Sequence, residues 1–316
     1  MRRTLLGLVA LILFFSGGPF SSSQPVTSVA AASVPIPAPI RVLVLGEPST
    51  SAEKAVDTVF SSGDLVGTST RLNNPVAFNA MTPGQLRASY DIIFVTWSSD
   101  TAYNLDWSTR VHPFLNLGGG VIYEDPNNIG DLAPVVIGAS VEGGSPFTFT
   151  ASVPGLTDGI LGNFANWHTL FTAWNPAFQV FMTSGSATIG LYGEFGGRMV
   201  LTGPDQDYHS DRPSDQYNFL VNEISWAFGG TSVFDPIAAA VNALPPPMDA
   251  RSKAILLDFV NRAKERTGEA RADAAIVLLR SFIAYVAKFN SAGKISGANA
   301  TTLTNLANSA IGKLSP

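Results

Sequence analysis

The 316-residue sequence contains no cysteine. This absence excludes a disulfide framework, a cysteine nucleophile and any metal site with cysteine ligands. Charged residues are also sparse, at 14 %, whereas hydrophobic residues make up 46 %. Because disordered chains combine low hydrophobicity with high charge, this composition excludes global disorder. A chain of this length can form one large domain and a small one, each held by its own hydrophobic core.

The N-terminus has the pattern of a secretory signal peptide, which we assign to residues 1–32. Arg2 and Arg3 provide the positive end, residues 5–15 form a short apolar core, and small residues follow. The apolar core is shorter than the ~20 residues that a membrane-spanning helix needs, so we expect cleavage and no transmembrane segment in the mature chain. Residues 33–40 then form a proline-rich linker. The sequence therefore predicts a secreted bacterial protein, extracellular or periplasmic.

Four short apolar segments are typical of buried parallel strands, and helical patterns separate them. The four segments are residues 41–45, 91–97, 119–123 and 198–202. Alternation of strand and helix at this spacing indicates βαβ units. We therefore predict an α/β domain over residues 41–230, with a flavodoxin-like open parallel sheet covered by helices on both faces. Residues 132–181 have weak periodicity, and we assign no element there.

The C-terminal part of the chain differs from the rest in pattern and in charge. Three helical patterns, over residues 249–266, 269–289 and 297–314, predict a small three-helix domain at 248–316 after a linker at 231–247. Residues 33–244 carry 7 Lys/Arg against 19 Asp/Glu, whereas residues 245–316 carry 10 against 5. This asymmetry indicates two modules with different surface partners. The acidic body excludes nucleic acid as its ligand, because phosphate binding needs a basic surface.

Acidic and aromatic side chains follow the predicted strands at their carboxyl ends, where open parallel sheets bind ligands. The candidate binding residues are Glu47, Trp97, Asp100, Glu124, Asp125, Asp205, Asp207 and His209. Carboxylates beside aromatic rings suit carbohydrate, because polar groups fix hydroxyls and rings cover sugar faces. Two carboxylates could also act as acid and base in glycan cleavage.

Two other interpretations of these residues stay open. Asp205, Asp207, His209 and Asp211 have a donor set that suits a divalent cation. Alternatively, the same residues cap helices and solvate loops. The sequence indicates no other cofactor.

Five segments occur in an order and at spacings that resemble the class I glutamine amidotransferase-like superfamily. They are residues 41–46, 90–97, 118–124, 153–159 and 197–204. The resemblance covers residues 41–229 and is nearest to the ThuA-like branch and to the amidotransferase-like domain of biotin-protein-ligase type. The C-terminal module resembles the FIMAH-type helical domain, through residues 278–283 and 293–296.

The resemblance implies a catalytic apparatus that this chain lacks. The superfamily's enzymes place cysteine at a tight turn after the strand matching residues 121–123, and here that turn reads Glu124, Asp125, Pro126. Asp205 and Asp207 stand where the resemblance puts the catalytic His and Glu. Because a thiolate mechanism needs its nucleophile, we expect no glutaminase activity.

Taken together, the residues and the resemblance predict a secreted, non-catalytic binding or accessory protein on a degenerate amidotransferase-like scaffold. Its predicted partner is a glycan or cell-surface polymer at the acidic carboxyl edge of the sheet. Two alternatives remain open at this point: a secreted hydrolase or lyase that uses carboxylates on glycans, and a purely structural interaction module.

Overall fold

The structure, a computed structural model, describes residues 39–45, 55–96, 102–126, 135–138, 147–161, 169–209 and 212–315. The strands within these ranges are β1 (Ile40–Leu45), β2 (Gly67–Leu72), β3 (Ile92–Val95), β4 (Gly120–Glu124), β5 (Val135–Ile137), β6 (Thr148–Phe149), β7 (Phe171–Trp174), β8 (Phe178–Ser184), β9 (Ala187–Phe195) and β10 (Gly197–Thr202). The signal peptide and nearly all of the proline-rich linker lie outside the described residues.

Helices occupy the intervals between the parallel strands and the whole C-terminal part. They are α1 (Ala55–Ser61), α2 (Pro75–Ala80), α3 (Pro83–Ser89), α4 (His112–Asn116), α5 (Gln206–His209), α6 (Asp215–Phe228), α7 (Asp235–Asn242), α8 (Ala250–Gly268), α9 (Ala272–Ser291) and α10 (Gly297–Leu314). A π-helical turn, Trp107–Val111, leads directly into α4. Side-chain caps fix several starts: Thr82 and Gln85 form a capping box at α3, and Ser214 caps α6.

The central sheet has the strand order β2-β1-β3-β4-β10-β9-β7-β5. All pairs from β2 to β10 are parallel, which reproduces the 2-1-3-4-5 order of flavodoxin-like sheets. The predicted fold class is therefore confirmed: an open α/β sheet followed by C-terminal helices. The four strands predicted from apolar runs are the adjacent strands β1, β3, β4 and β10.

Alternate side chains of β1 belong to the two layers that cover the sheet. Val42 and Val44 pack in the cluster that contains α1 and α6, whereas Leu43 and Leu45 pack with α2, α3 and α4. Since side chains of a strand point alternately to opposite faces, a strand buried on both faces reads as an unbroken apolar run. This is why the sequence pattern identified β1 and its neighbours.

An antiparallel extension continues the sheet beyond β10, and sequence analysis did not predict it. β9 pairs antiparallel with β10 and with β8, and β7 and β5 continue the edge. Glycines interrupt the alternation in β9, where a Cβ at Gly190 would lie 2.6 Å from Cβ of Met182 and one at Gly193 would lie 2.7 Å from the Phe195 ring. The side chains of Met182 and Phe195 fill the space that a Cβ would take, so these positions hold glycine. Glycine at these positions weakens the period-2 alternation by which a strand is recognised in the sequence.

The three predicted C-terminal helices are α8, α9 and α10, and a further helix packs with them. This helix, α7, lies within residues 231–247, which we expected to be a linker, and its Ile237 and Val241 are fully buried in the helical core. Leu117, from the turn before β4, belongs to the same cluster. In addition, a Cβ on Gly84 of α3 would lie only 3.1 Å from Cα of Gly268 in α8. The helices therefore pack directly on the α/β domain.

A buried histidine joins the two parts on another side. His112 of α4 is 5 % exposed and stacks on Trp107, with ring centroids 4.9 Å apart. It also hydrogen-bonds to the backbone of Lys313 in α10, but burial dominates and lowers the pKa of His112 to about 4. Among the described helices, none combines the length and the apolar character that a membrane span requires.

Candidate functional site

Four of the predicted site residues converge beneath the carboxyl ends of β4 and β10. Glu124 is the last residue of β4 and Asp125 follows it, while Asp205 and Asp207 flank Gln206 at the start of α5. Their exposed fractions are only 0 %, 2 %, 2 % and 4 %, in sequence order. The structure brings these four predicted residues together, but they form part of the interior instead of an exposed acidic rim.

Asp207 is bonded within the fold by both of its carboxylate oxygens. Oδ1 accepts from the backbone N–H of Val56 at 3.0 Å and from Arg71 at 3.0 Å, and Oδ2 accepts from Arg71 at 3.2 Å. Arg71 of β2 also donates to Asp57 of α1 at 2.8 Å. Because a bidentate guanidinium and a backbone donor satisfy this carboxylate, its role is to join β2, α1 and α5.

Glu124 is held on one side only. Its Oε2 accepts from the backbone N–H of Asp207 at 2.8 Å, whereas Oε1 is buried without a hydrogen-bond partner. Burial raises the pKa of Glu124 well above its usual range, and the nearby charges of Glu223, Asp205 and Asp207 raise it further. The protonated form of Glu124 is therefore favoured over its charged form.

Sequence analysis missed Glu223, which completes the cluster from α6. It is fully buried, and its Oε2 accepts from Nε2 of Gln206 at 3.2 Å. Burial raises the pKa of Glu223 strongly. A signal was present in the sequence: Leu220, Glu223 and Ala227 lie at steps of three and four on the buried stripe of α6. A charged residue on such a stripe indicates a buried polar partner.

The turn after β4 has the backbone geometry of a special position. Asp125 has φ +40°, in the left-handed region that a non-glycine residue seldom adopts. Its N–H donates to the carbonyl of Thr202 at 2.8 Å, which extends the pairing of β4 with β10. Its Oδ1 accepts from the hydroxyl of Thr169 at 2.5 Å. The turn is thus fixed at both backbone and side chain.

The remaining predicted residues lie where the structure gives no account of them. Glu47, Trp97, Asp100 and Asp211, and the side chain of His209, fall outside the described residues. Within the part that is described, no group of three or more His, Asp or Glu side chains is arranged to hold a metal ion. The glycan and cation predictions that depend on these loops therefore stay predictions.

The charges and hydrogen-bond donors of this buried cluster determine what it can do chemically. Arg71 pairs with both Asp207 and Asp57, and burial raises the pKa of Glu124 and of Glu223, which favours their protonated forms. No thiol is present among these residues, because the sequence contains no cysteine. The cluster fixes α5 and α6 against the sheet and holds the Asp125 turn in place.

Comparison with known proteins found likenesses among solved structures only. No protein-family model matches the chain, and no curated protein matches it. The structure is similar to a glutamine amidotransferase from Thermotoga maritima, at 12 % identity and a TM-score of 0.41, over 77 % of this chain and 96 % of that one.

Two further structures are similar over a smaller part of this chain. One is a cytoplasmic protein from Salmonella typhimurium, at 14 % identity and a TM-score of 0.44, over 60 % of this chain and 99 % of that one. The other is a glutamine amidotransferase from Methylobacillus flagellatus, at 11 % and 0.34, over 54 % and 70 %. Identities and scores of this size do not establish a family for the chain.

Proposed function

We propose that this chain is a secreted, non-catalytic binding protein on an amidotransferase-like scaffold. One observation supports the proposal: the residues that the resemblance puts at the positions of the superfamily's nucleophile and its partners are buried carboxyl groups bonded within the fold. Asp207 is bonded by Arg71 and Asp125 by Thr169, while Glu124 accepts from the backbone of Asp207. Groups committed in this way stabilise the scaffold and are not available for acyl transfer.

A glycan or cell-surface polymer is the proposed ligand, at the carboxyl edge of the sheet. The proposal rests on the residues that follow the strands there, Glu47, Trp97 and Asp100, because an aromatic ring beside carboxylates suits a sugar. The switch point of a 2-1-3-4-5 sheet lies between β1 and β3, which lead into these residues. We also propose that the α/β domain is nearest to the ThuA-like branch and that the C-terminal helices form a FIMAH-type module.

The enzymatic part of the proposal is tested by ammonia release from glutamine. We expect no release above background from the full chain, and none from Asp125→Cys, because a new thiol would still lack the catalytic His and Glu. Ammonia release that Glu124→Ala abolishes would contradict the non-catalytic assignment.

The binding part is tested on a glycan array and on isolated cell-wall polymer. Wild type should retain a ligand that Asp100→Asn loses and that Asp273→Asn keeps, since Asp273 is exposed on α9, away from the proposed edge. If wild type retains nothing on either surface, or both variants bind equally well, the proposed glycan site is wrong. Fractionation of the native host would test export.

A second candidate function rests on the backbone of Asp125. The positive φ of Asp125 is strained for a non-glycine residue. Strained backbone residues of this kind cluster at functional sites. A carboxyl group at this turn is the residue type that the alternative of a glycan hydrolase or lyase requires. Turnover of polysaccharide by wild type that is lost in Asp125→Asn, with unchanged folding, would favour this alternative over the binding protein.

A further inference from the structure

The helical pair α8 and α9 carries most of the positive charge of the C-terminal helices. Residues 250–291, which form both helices and the turn between them, contain eight Lys/Arg and four Asp/Glu. The α/β body has the opposite balance, with 7 Lys/Arg and 19 Asp/Glu over residues 33–244. An anionic partner is therefore attracted to this pair of helices and repelled by the body.

One side of the pair, which we call the α8–α9 face, is open to solvent. The ring centroids of Phe259 on α8 and Tyr285 on α9 lie 5.0 Å apart, which places the two helices side by side along this face. On α9 the face continues through Val277, Arg280 and Lys288, because residues at multiples of three and four steps share one side of a helix. Val277 is 60 % exposed and Tyr285 is 37 % exposed, so the face is not part of the core.

Ion pairs neutralise only part of the charge. Glu269, in the turn between the helices, is shared by two cations, with Arg266 at 2.6 Å and Arg271 at 3.8 Å. Asp258 lies 3.6 Å from Arg262, and both of these side chains are more than half exposed. Exposed pairs of this kind are weak, so a polyanion can compete for their cations.

Three further cations have no carboxylate partner within 4.0 Å in the described part of the chain: Arg251, Arg280 and Lys288. Asp235 of α7 lies 3.2 Å from Lys264. Counting Asp235 with the acids of residues 250–291 leaves eight basic side chains against five acidic ones. The pair therefore keeps an excess of three positive charges, with the exposed acids included.

The cations are spread along the face and do not gather in one pocket. Arg280 and Lys288 are eight residues apart on one helix, which corresponds to about 12 Å. Arg271, before the start of α9, lies about as far from Arg280 in the other direction. A small anion reaches one of these cations at a time, whereas an extended polymer with repeated charges reaches all of them.

A membrane surface fits this face less well than a polymer does. The broad apolar side of α9, with Leu279, Phe282 and Val286, is buried in the helical core. A helix that lies in a membrane interface needs such a side exposed. Val277 and Tyr285 are too few for this, but beside cations they suit sugar units, which present apolar C–H faces, hydroxyls and carboxylates.

We propose that the α8–α9 face binds a linear anionic polysaccharide, with Arg280 and Lys288 paired to carboxylates of separate sugar units. The face shares no residue with the carboxyl edge of the sheet, so it is independent of the ligand proposed there. The C-terminal helices then attach the chain to the polymer, and the carboxyl edge stays free for its own ligand.

Two polymers with one backbone test the proposal on the full chain. Polygalacturonate carries a carboxylate on every sugar, and its fully methyl-esterified form carries none. Binding is measured by calorimetry at low and high NaCl concentration. At low salt we expect polygalacturonate to bind at least about tenfold more tightly than the ester. High salt should remove most of this preference, because the screening length falls from ~10 Å at 0.1 M to ~3 Å at 1 M.

Matched variants then locate the charge. Lys288→Gln should weaken polygalacturonate binding about threefold, and the double variant Arg280→Gln with Lys288→Gln about tenfold. The control is Lys313→Gln, which removes an exposed lysine of α10 that lies beside Glu194 and Arg198, outside the face. It should bind polygalacturonate like wild type, as should Asp100→Asn.

Four results would overturn the proposal. They are equal binding of the two polymers at low salt, equal loss in Lys288→Gln and Lys313→Gln, tighter binding to phosphatidylglycerol vesicles or single-stranded DNA than to polygalacturonate, and loss of polygalacturonate in Asp100→Asn. The ligand at the carboxyl edge is tested separately, because Asp100→Asn should lose it and Lys288→Gln should keep it.

Discussion

The backbone N–H of Asp207 donates to Oε2 of Glu124 across 2.8 Å, which joins the start of α5 to the last residue of β4. The other oxygen of Glu124 has no partner, and burial raises its pKa well above the usual range. A carboxyl group with a raised folded pKa contributes its full stability below its unfolded pKa, near 4.5. That stability is lost as the pH rises from there toward the folded pKa.

Glu124→Gln should therefore stabilise the protein on the alkaline side. The amide keeps an acceptor for Asp207 and never ionises. We expect the variant to gain up to about 1.4 kcal/mol relative to wild type for each pH unit above the unfolded pKa, until the folded pKa is reached. Urea unfolding between about pH 5 and pH 9 measures this difference. Glu194→Gln is the control and should keep the wild-type slope; identical pH profiles for all three proteins would contradict the prediction.

Arg71→Met should be strongly destabilising, because it leaves Asp207 buried without its cation. Side chains of this pair are 14 % and 5 % exposed. Removing one partner of a buried pair costs about 3–5 kcal/mol, and we expect a loss of that size in denaturant unfolding. The double variant Arg71→Met with Asp207→Asn should regain part of the lost stability. Arg262→Met is the control, since its pair with Asp258 is exposed; a comparable loss there would argue against a special role for Arg71.

His112→Phe should change the response to acid. A histidine with a lowered folded pKa contributes full stability above its unfolded pKa, near 6.5, and loses it as the pH falls toward about 4. The wild-type loss from this group is about 3 kcal/mol over that window. Phe keeps the ring contact with Trp107 and cannot be protonated, so wild type should lose stability relative to the variant as the pH falls. If the difference stays constant between about pH 7 and pH 5, the folded and unfolded chains bind the same number of protons, and folding does not lower the pKa of His112.

Val241→Ala should destabilise the C-terminal helices by about 2 kcal/mol, because Val241 of α7 is fully buried in their core. Val277→Ala makes the same change on α9 at a side chain that is 60 % exposed, and should be nearly neutral. Hydrogen exchange should report faster opening of α8 and α9 in Val241→Ala alone. Equal stability of the two variants would mean that α7 is not part of the helical core.

The parallel half of the fold was predictable for a simple reason. Strands β1, β3, β4 and β10 are buried on both faces, so their burial leaves an unbroken apolar run in the sequence. The antiparallel half mixes buried and exposed faces with glycines such as Gly190, and its pattern is too weak for the same inference. Helix α7 is only eight residues long and lies between two glycines, at 229 and 230, and three prolines, at 245–247. Because glycine and proline are typical of linkers, the sequence pattern concealed this helix.

The proximity of four of the predicted carboxylates could be predicted from the sequence, but their burial could not. Strand ends placed Glu124, Asp125, Asp205 and Asp207 together, as the structure does. Their burial depends on partners that are distant in sequence, Arg71 on β2 and Glu223 on α6. No local pattern states that an arginine 136 residues away will neutralise Asp207.

The contact of Gly84 with Gly268 has a consequence for how this chain can diverge. A Cβ at position 84 would lie 3.1 Å from Cα of Gly268, so α8 would have to shift by a few tenths of an ångström to admit a side chain there. The two positions are thus under a joint constraint that exists only while the C-terminal helices remain attached. A descendant that lost those helices would be free to accumulate other residues at position 84, and a descendant that kept them would not. Position 84 would then record whether a lineage still carries its C-terminal part.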